Sequence, residues 1–381
     1  GYHISRLFTG IRNSLVVLVI TFIIFESFFE GGWGLEGYIL PFLTYSLYIF
    51  LKYFLEDKIN KYEIILNGFS FAVVLFTKAN MIGIWLIFSL LVTIKLIYQK
   101  RFSLFLKYIA LFISGSALFI VPLCCFLWFQ GSLKEMFYQS VVMNFIYSKG
   151  SGYLTVREMI KWYMNQVNVL QLNFMIVIAM ISVWKQYGIK ILFYNGAFIF
   201  CLMLALISKR AYLHYLIVLI PLFIPYISVA INKFMNKSSL LYFLIFTIGL
   251  VFIYWGPIHE IKDRVTNRSI DYSVNEKEVA NYIHQHTNEQ DRIYSHRLNG
   301  IIYLYSERLS STKFFFVPSL KDETPIIDSF KESFEVNPPK YIVFDSKWDY
   351  GRLTDSFIKE LIQKNYHEEK QIDTMKIYQI N

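Results

Sequence analysis

Two short turns carry cations where hydrophobic sequence would favour none. Thr77-Lys78-Ala79-Asn80 interrupts one apolar run, and Lys209-Arg210-Ala211-Tyr212-Leu213-His214 precedes another. A guanidinium grips phosphate in a two-pronged fashion and an ammonium acts as a point charge, so both turns suit a phosphate or pyrophosphate group. Carboxylates accompany them. Glu30 and Glu36 flank Gly31-Gly32-Trp33-Gly34, and Glu26 lies one helical turn before Glu30. An ionisable group inside an apolar span is costly and faces a cavity or a partner. Lys78, Asn80, Lys209, Arg210, His214 and Glu36 are therefore the candidate binding residues, with His214 as a hydrogen-bond donor to a surface ligand. The bland alternatives are snorkelling cations, an aromatic belt and an interfacial carboxylate.

The elements that must position these residues are membrane spans. The chain has 381 residues, of which 55% are hydrophobic and 19% aromatic, with a mean hydropathy of +0.41. A soluble domain does not carry that much apolar residue. Nine apolar runs read as spans, at 14–29, 37–55, 62–77, 79–98, 104–129, 172–184, 190–208, 212–231 and 239–257. Between the fifth and sixth, residues 130–171 form an extramembrane segment with amphipathic stretches at Leu133–Tyr147 and Val156–Leu170, suited to lie along the interface.

Charge divides at about residue 257. Residues 1–257 hold 20 Lys and Arg against 8 Asp and Glu, whereas 258–381 hold 17 against 20. The basic pI thus comes from membrane loops and gives no reason to expect a nucleic-acid partner. With the N-terminus cytoplasmic, the inside loops hold 13 Lys and Arg and the outside loops 7, which satisfies the positive-inside rule. An odd number of spans then puts the C-terminal domain outside the membrane. On that reading Lys78, Lys209 and Arg210 lie on the extracytoplasmic surface.

Residues 258–381 read as a small α/β domain. Helical patterns fall at Val274–His286, Asn299–Ser306, Asp322–Phe334 and Leu353–Lys364. Strand patterns fall at Arg292–Ser295, Lys313–Val317 and Tyr341–Phe344, with a closing hairpin over His367–Gln379. Pro338-Pro339 ends the helix before the Tyr341 strand. Cys124, Cys125 and Cys201 all sit in apolar runs, so the sequence has no disulfide framework and no metal-binding cysteine spacing. The nucleotide-cradling, zinc-protease and nucleophile-elbow motifs are missing as well.

Four segments in this order resemble a family. Gly31-Gly32-Trp33-Gly34-Leu35-Glu36-Gly37-Tyr38-Ile39-Leu40-Pro41-Phe42 is similar to the "GGN…EEYxLPF" segment of bacterial multispanning glycosyltransferases of the GT-C fold. That class includes the protein O-mannosyltransferases and lipid A aminoarabinose transferases. Phe76-Thr77-Lys78-Ala79-Asn80-Met81-Ile82-Gly83 resembles their "RPNMIG" turn, and Lys209 to Tyr215 followed by Pro221 resembles "GRxYxHY…P". Asp291-Arg292-Ile293-Tyr294 with Ile302 to Arg308 is similar to their "DxIyvwG…iYflsnR" pattern.

The resemblance implies an inverting transferase that moves a sugar from a polyisoprenyl-phosphate donor to a glycan, protein or lipid acceptor on the outer face of the cell membrane. No cofactor is expected, no carboxylate cluster in the sequence demands a metal, and the partners are the donor lipid and the surrounding membrane lipids. Lys78 and Arg210 would clamp the lipid phosphate, and Glu36 would orient a sugar hydroxyl or a nearby cation. The family's catalytic acid belongs to a loop expected upstream of Gly1, which implies an N-terminally truncated chain and leaves the catalytic base unassigned; Glu30 is a weak substitute. Lys replaces the first Arg of "RPN", Ala79 replaces its Pro, Trp33 replaces the Asn of "GGN" and Gly37 replaces a Glu. Two other classes remain open on the sequence: a lipid-linked saccharide transporter or flippase, and a non-catalytic cell-surface assembly protein.

Overall fold

The computed structural model describes residues 1–28, 34–142, 154–169, 188–207, 211–235, 255–266, 273–297, 300–314, 324–349 and 352–381, with isolated positions at 176–181 and 248. The chain divides into two compact units, Gly1–Val265 and Thr266–Asn381. Each is built differently.

The first unit is helical. Its helices are α1 (Tyr2–Arg6), α2 (Ile11–Phe28), α3 (Leu35–Glu56), α4 (Lys61–Lys78), α5 (Gly83–Tyr98) and α6 (Phe102–Phe129), then α7 (Leu133–Phe137), α8 (Val156–Val169), α9 (Ile189–Ala205), α10 (Ile220–Met235) and α11 (Trp255–Thr266). Five helical stretches are long and apolar enough to cross a membrane: Ile11–Phe28, Leu35–Glu56, Lys61–Met81, Phe102–Phe129 and Leu213–Lys233. They coincide with five of the nine expected spans. The runs at 79–98 and 190–208 fold into the shorter apolar helices α5 and α9. The runs at 172–184 and 239–257 fall largely outside the described residues.

Local chemistry sets the helix ends. Asn60 and Glu63 form a reciprocal cap at the start of α4, each side chain accepting from the other's backbone N–H at 2.9 Å. Asp57 closes α3 in the left-handed conformation, at φ 57°. Residues Ala79–Met81 take a tight 3₁₀ turn, so α5 begins at Gly83, four residues later than the apolar run suggests. Leu213–Leu219 is also 3₁₀ before α10 starts. Pro221 explains the change of winding, because it lacks the N–H that an α-helix would direct at the Ile217 carbonyl.

Helix packing relies on small and polar residues. Gly68 of α4 and Gly115 of α6 lie against each other's helix backbone, and a Cβ at either would run into a backbone carbonyl, Phe112 O or Ile65 O. Ser116 Oγ adds a hydrogen bond to the Gly68 carbonyl at 2.9 Å. Close approach of small residues is how helices pack in lipid, where no hydrophobic drive separates helix from solvent. Of an 18-residue apolar window in Leu213–Lys233, 89% is buried, against 11% for one in Phe102–Phe129, so the first is central and α6 lies at the rim. Along α6 the exposed residues include Phe102, Leu106, Ile113, Leu118, Val121 and Phe126. A contiguous apolar face of that length is matched by hydrocarbon and not by water. Of the two amphipathic stretches, α8 buries Met159 and Tyr163, and Tyr163 joins the bundle's core.

The second unit is a four-stranded mixed sheet with helices on both faces. Its elements are α12 (Val274–His286), β1 (Ile293–His296), α13 (Ile301–Ser306), α14 (Thr324–Val336), β2 (Tyr341–Asp345), α15 (Leu353–Asn365), β3 (Tyr366–Ile372) and β4 (Met375–Ile380). Strand order is β1-β2-β4-β3. β1 and β2 are parallel, with Ile293 opposite Tyr341 and His296 opposite Phe344. β4 is antiparallel to β2 and to β3, with Asp345 opposite Met375 and Tyr366 opposite Ile380. Every residue of β1 and β2 is buried, as expected for strands covered on both sides. One face packs Val279, Ile283 and Ile302 on Tyr341, Val343 and Ile377. The other packs Phe330, Phe334 and Ile358 on Tyr294, Ile342 and Phe344. Of the expected strand at Lys313–Val317, Lys313 and Phe314 are not in a strand and the remainder lies outside the described residues.

Candidate functional site

At one end of the helical bundle, α3 begins, α4 ends and the 3₁₀ stretch before α10 starts. Glu36 stands in the first turn of α3, where a carboxylate complements the unpaired N–H groups of the helix end. Lys78 stands in the last turn of α4, where a cation complements the carbonyls. The two side chains form an ion pair across the bundle, Lys78 Nζ donating to Glu36 Oε1. Glu36 is 1% exposed. A buried carboxylate without its cation would be strongly unfavourable, so this contact holds both residues in place.

His214 and Tyr215 complete the cluster. His214 Nε2 lies 3.9 Å from Glu36 Oε1. Lys78 Nζ lies 4.3 Å from the centre of the Tyr215 ring, a cation–π contact that adds to the ion pair. Tyr212 stacks on His214 with ring centres 5.3 Å apart, and His214 meets Tyr215 edge to face at 4.8 Å. Gly34 lies close against the pair. A Cβ there would stand 2.9 Å from Glu36 Oε2 and 3.8 Å from His214 Cβ.

The structure thus brings together Glu36, Lys78 and His214 from the sequence-derived set. Asn80 sits one turn away and lines a small cleft with Leu43, Met81 and Cys201. Glu26 is in the last turn of α2 and half buried. Glu30, Lys209 and Arg210 lie outside the described residues. Tyr215, outside the sequence-derived set, places its ring face against the Lys78 ammonium. The His-Tyr pair within a 3₁₀ stretch ahead of Pro221 is the signal that could have placed it.

The cluster can do two things chemically. It presents a cation whose position is fixed by a carboxylate and a ring face, and it presents an imidazole within reach of the same carboxylate. A phosphate oxygen arriving at Lys78 would find a half-buried ammonium already oriented, a condition that favours stabilisation of negative charge. Among the described residues no group of three or more His, Cys, Asp or Glu is arranged to hold a metal ion.

The C-terminal unit has its own polar constellation at the carboxyl ends of the parallel strands β1 and β2. Arg297 bridges Asp345, at 2.9 Å, and Glu276, at 2.8 Å. His296 Nε2 lies 2.7 Å from Asp355 Oδ1, and its Nδ1 lies 3.1 Å from the Tyr294 hydroxyl. Arg352 adds an ion pair to Asp355, at 2.9 Å. Both carboxylates are almost fully buried, Asp345 at 1% and Asp355 at 0%. These groups tie β1, β2, α12 and α15 together through ion pairs and hydrogen bonds. Burial also pushes the Tyr303 phenol up to about 12, and its oxygen accepts from the Ser295 N–H at 2.7 Å.

Residues 273–381 match the family described as "Putative competence-induced protein Ccs4 C-terminal domain". The match covers the C-terminal unit from α12 to the end of β4. A comparison with curated proteins finds no match for the chain.

Proposed function

We propose that this chain is a membrane-embedded glycosyltransferase of the GT-C kind, acting on a polyisoprenyl-phosphate sugar at the extracytoplasmic surface. The observation that carries the reading is the buried Glu36–Lys78 pair, with His214 and Tyr215 around it, at one end of membrane-length helices. All four residues stand in segments that resemble the family's motifs. In the reaction an acceptor oxygen bonds to the anomeric carbon as the bond from that carbon to the phosphate oxygen breaks. The acceptor's proton passes to a base that the chain as described does not identify, and the lipid phosphate keeps the bonding electrons. Lys78 stabilises that developing charge, and Glu36 fixes the ammonium in place. Arg210, from the neighbouring motif, is the second clamp.

Transfer of a radiolabelled sugar from a polyisoprenyl-phosphate donor, in proteoliposomes with cell-envelope acceptors, tests the proposal. The wild-type chain should give label in the acceptor fraction, and Lys78→Ala should reduce it at least tenfold. A second reading is a cell-surface assembly protein, in which the same pair is only a helix clamp. The direct pairing of Lys78 with Glu36 favours it, and it requires Lys78→Arg and Lys78→Met chains of equal stability to retain the same biological activity.

A further inference from the structure

At the opposite end of the bundle lies an apolar cavity of about 400 Å³, within the size range of small-molecule pockets. It runs between the C-terminal halves of α3 and α5 and the adjoining parts of α9 and α10, with Phe54, Leu91, Tyr194 and Tyr226 in its walls. Glu36 and Phe54 are 18 residues apart on α3, about 27 Å at 1.5 Å per residue, so this cavity and the Glu36–Lys78 cluster belong to different ends of the membrane-length helices.

The walls offer carbon. The Tyr194 hydroxyl donates to the Leu222 carbonyl at 2.8 Å, and the Tyr226 hydroxyl donates to Asn195 Oδ1. Neither is left to bind a sugar or nucleotide, and such a space does not stabilise water, which needs polar partners. The charge is at the mouth. Lys95 lines the cavity near the end of α5, held 2.8 Å from Asp57 and 4.2 Å from the centre of the Tyr53 ring. Lys52, Lys58, Lys61, Lys100 and Arg101 belong to the same end of the bundle and outnumber its acids, Glu56, Asp57 and Glu63. A hydrocarbon slot under a surplus of cations complements a lipid with an anionic head group.

We propose that this cavity binds one acyl chain of an anionic bilayer phospholipid, with the phosphate of its head group at Lys95. The site is a structural lipid site. It requires only that the helices lie in a membrane and does not depend on the glycosyltransferase reading. A polyisoprenyl-phosphate sugar seated here would have its head at the wrong end of the bundle for Lys78.

The test uses the full chain in nanodiscs of equal phosphatidylglycerol and phosphatidylcholine, extracted into mild detergent and weighed by native mass spectrometry. The wild type should retain one phosphatidylglycerol per chain in preference to phosphatidylcholine. Leu91→Trp, which fills the cavity, should cut retention at least tenfold with the unfolding temperature maintained. Lys95→Gln should retain lipid but lose the preference for the anionic head. Should Leu91→Trp fail to fold, Ala179→Leu is the smaller intrusion and should lower retention in the same direction. Undiminished retention in folded cavity-filling variants, equal retention of the two lipids by the wild type, or displacement of phosphatidylglycerol by a polyisoprenyl phosphate would overturn the proposal.

Discussion

In the helical unit the buried Glu36–Lys78 pair ends two helices beside an aromatic pair, and its neighbours along both helices are apolar. In the C-terminal unit Arg297, Asp345 and Glu276 form one network, and His296, Asp355 and Arg352 form another, both at the same end of the sheet. In the second arrangement Arg297 and Asp355 each engage more than one partner, so it resembles a framework. The first leaves one cation held by a single carboxylate and one ring face, and that cation can be shared with an incoming anion. Buried charge therefore does not by itself mark a site; what distinguishes the two regions is whether a ligand could exchange into the pairing.

The largest effect should come from Asp355→Ala. It leaves His296 and Arg352 without their buried carboxylate and should destabilise the C-terminal unit by about 3–5 kcal/mol. Chemical denaturation of the full chain in detergent, followed by limited proteolysis at the tail, reads this. A loss below about 1 kcal/mol would mean that the network is dispensable. Lys78→Ala should cost about 3 kcal/mol through the stranded Glu36 carboxylate. The double change Lys78→Ala with Glu36→Gln should recover most of that stability without recovering any donor binding, which separates holding the fold from holding the ligand. Gly68→Ala forces a Cβ into the Phe112 backbone carbonyl and should cost about 1–3 kcal/mol. It should shift the unfolding temperature and leave donor affinity per folded molecule unchanged.

The smallest effect concerns the surface of the C-terminal unit. Lys340 Nζ, with the Asn288 N–H, holds the Asp291 carboxyl below the usual carboxylate range. The folded pKa is depressed, so the contribution is present above the unfolded value and is lost as pH falls through the folded one. Lys340→Ala should remove about 0.5 kcal/mol at neutral pH and nothing once Asp291 is protonated. Urea titrations at neutral and strongly acidic pH measure the difference.

Much of this architecture was legible in the sequence, because hydrophobic period and turn chemistry are local. The long runs became α2, α3, α4, α6 and the Leu213–Lys233 stretch, and Val274–His286 is helical to the residue. The hairpin over 367–379 folds as β3 and β4. What the sequence concealed is pairing over distance. Glu36 and Lys78 are 42 residues apart and His296 and Asp355 are 59 apart, and no spacing rule connects them. Nor did it reveal that the antiparallel hairpin inserts β4, not β3, next to β2. The 3₁₀ stretch before Pro221 was equally hidden, since its apolar residues suit either winding.

The central claim is that the Glu36–Lys78–His214 end of the bundle binds a lipid phosphate. Its most direct test is equilibrium binding of a polyisoprenyl phosphate to the purified chain in detergent, comparing wild type with Lys78→Ala and Arg210→Ala. Saturable binding by the wild type, weakened at least tenfold by either substitution in folded protein, is the predicted result. Equal binding by all three chains, or none by the wild type, would contradict it.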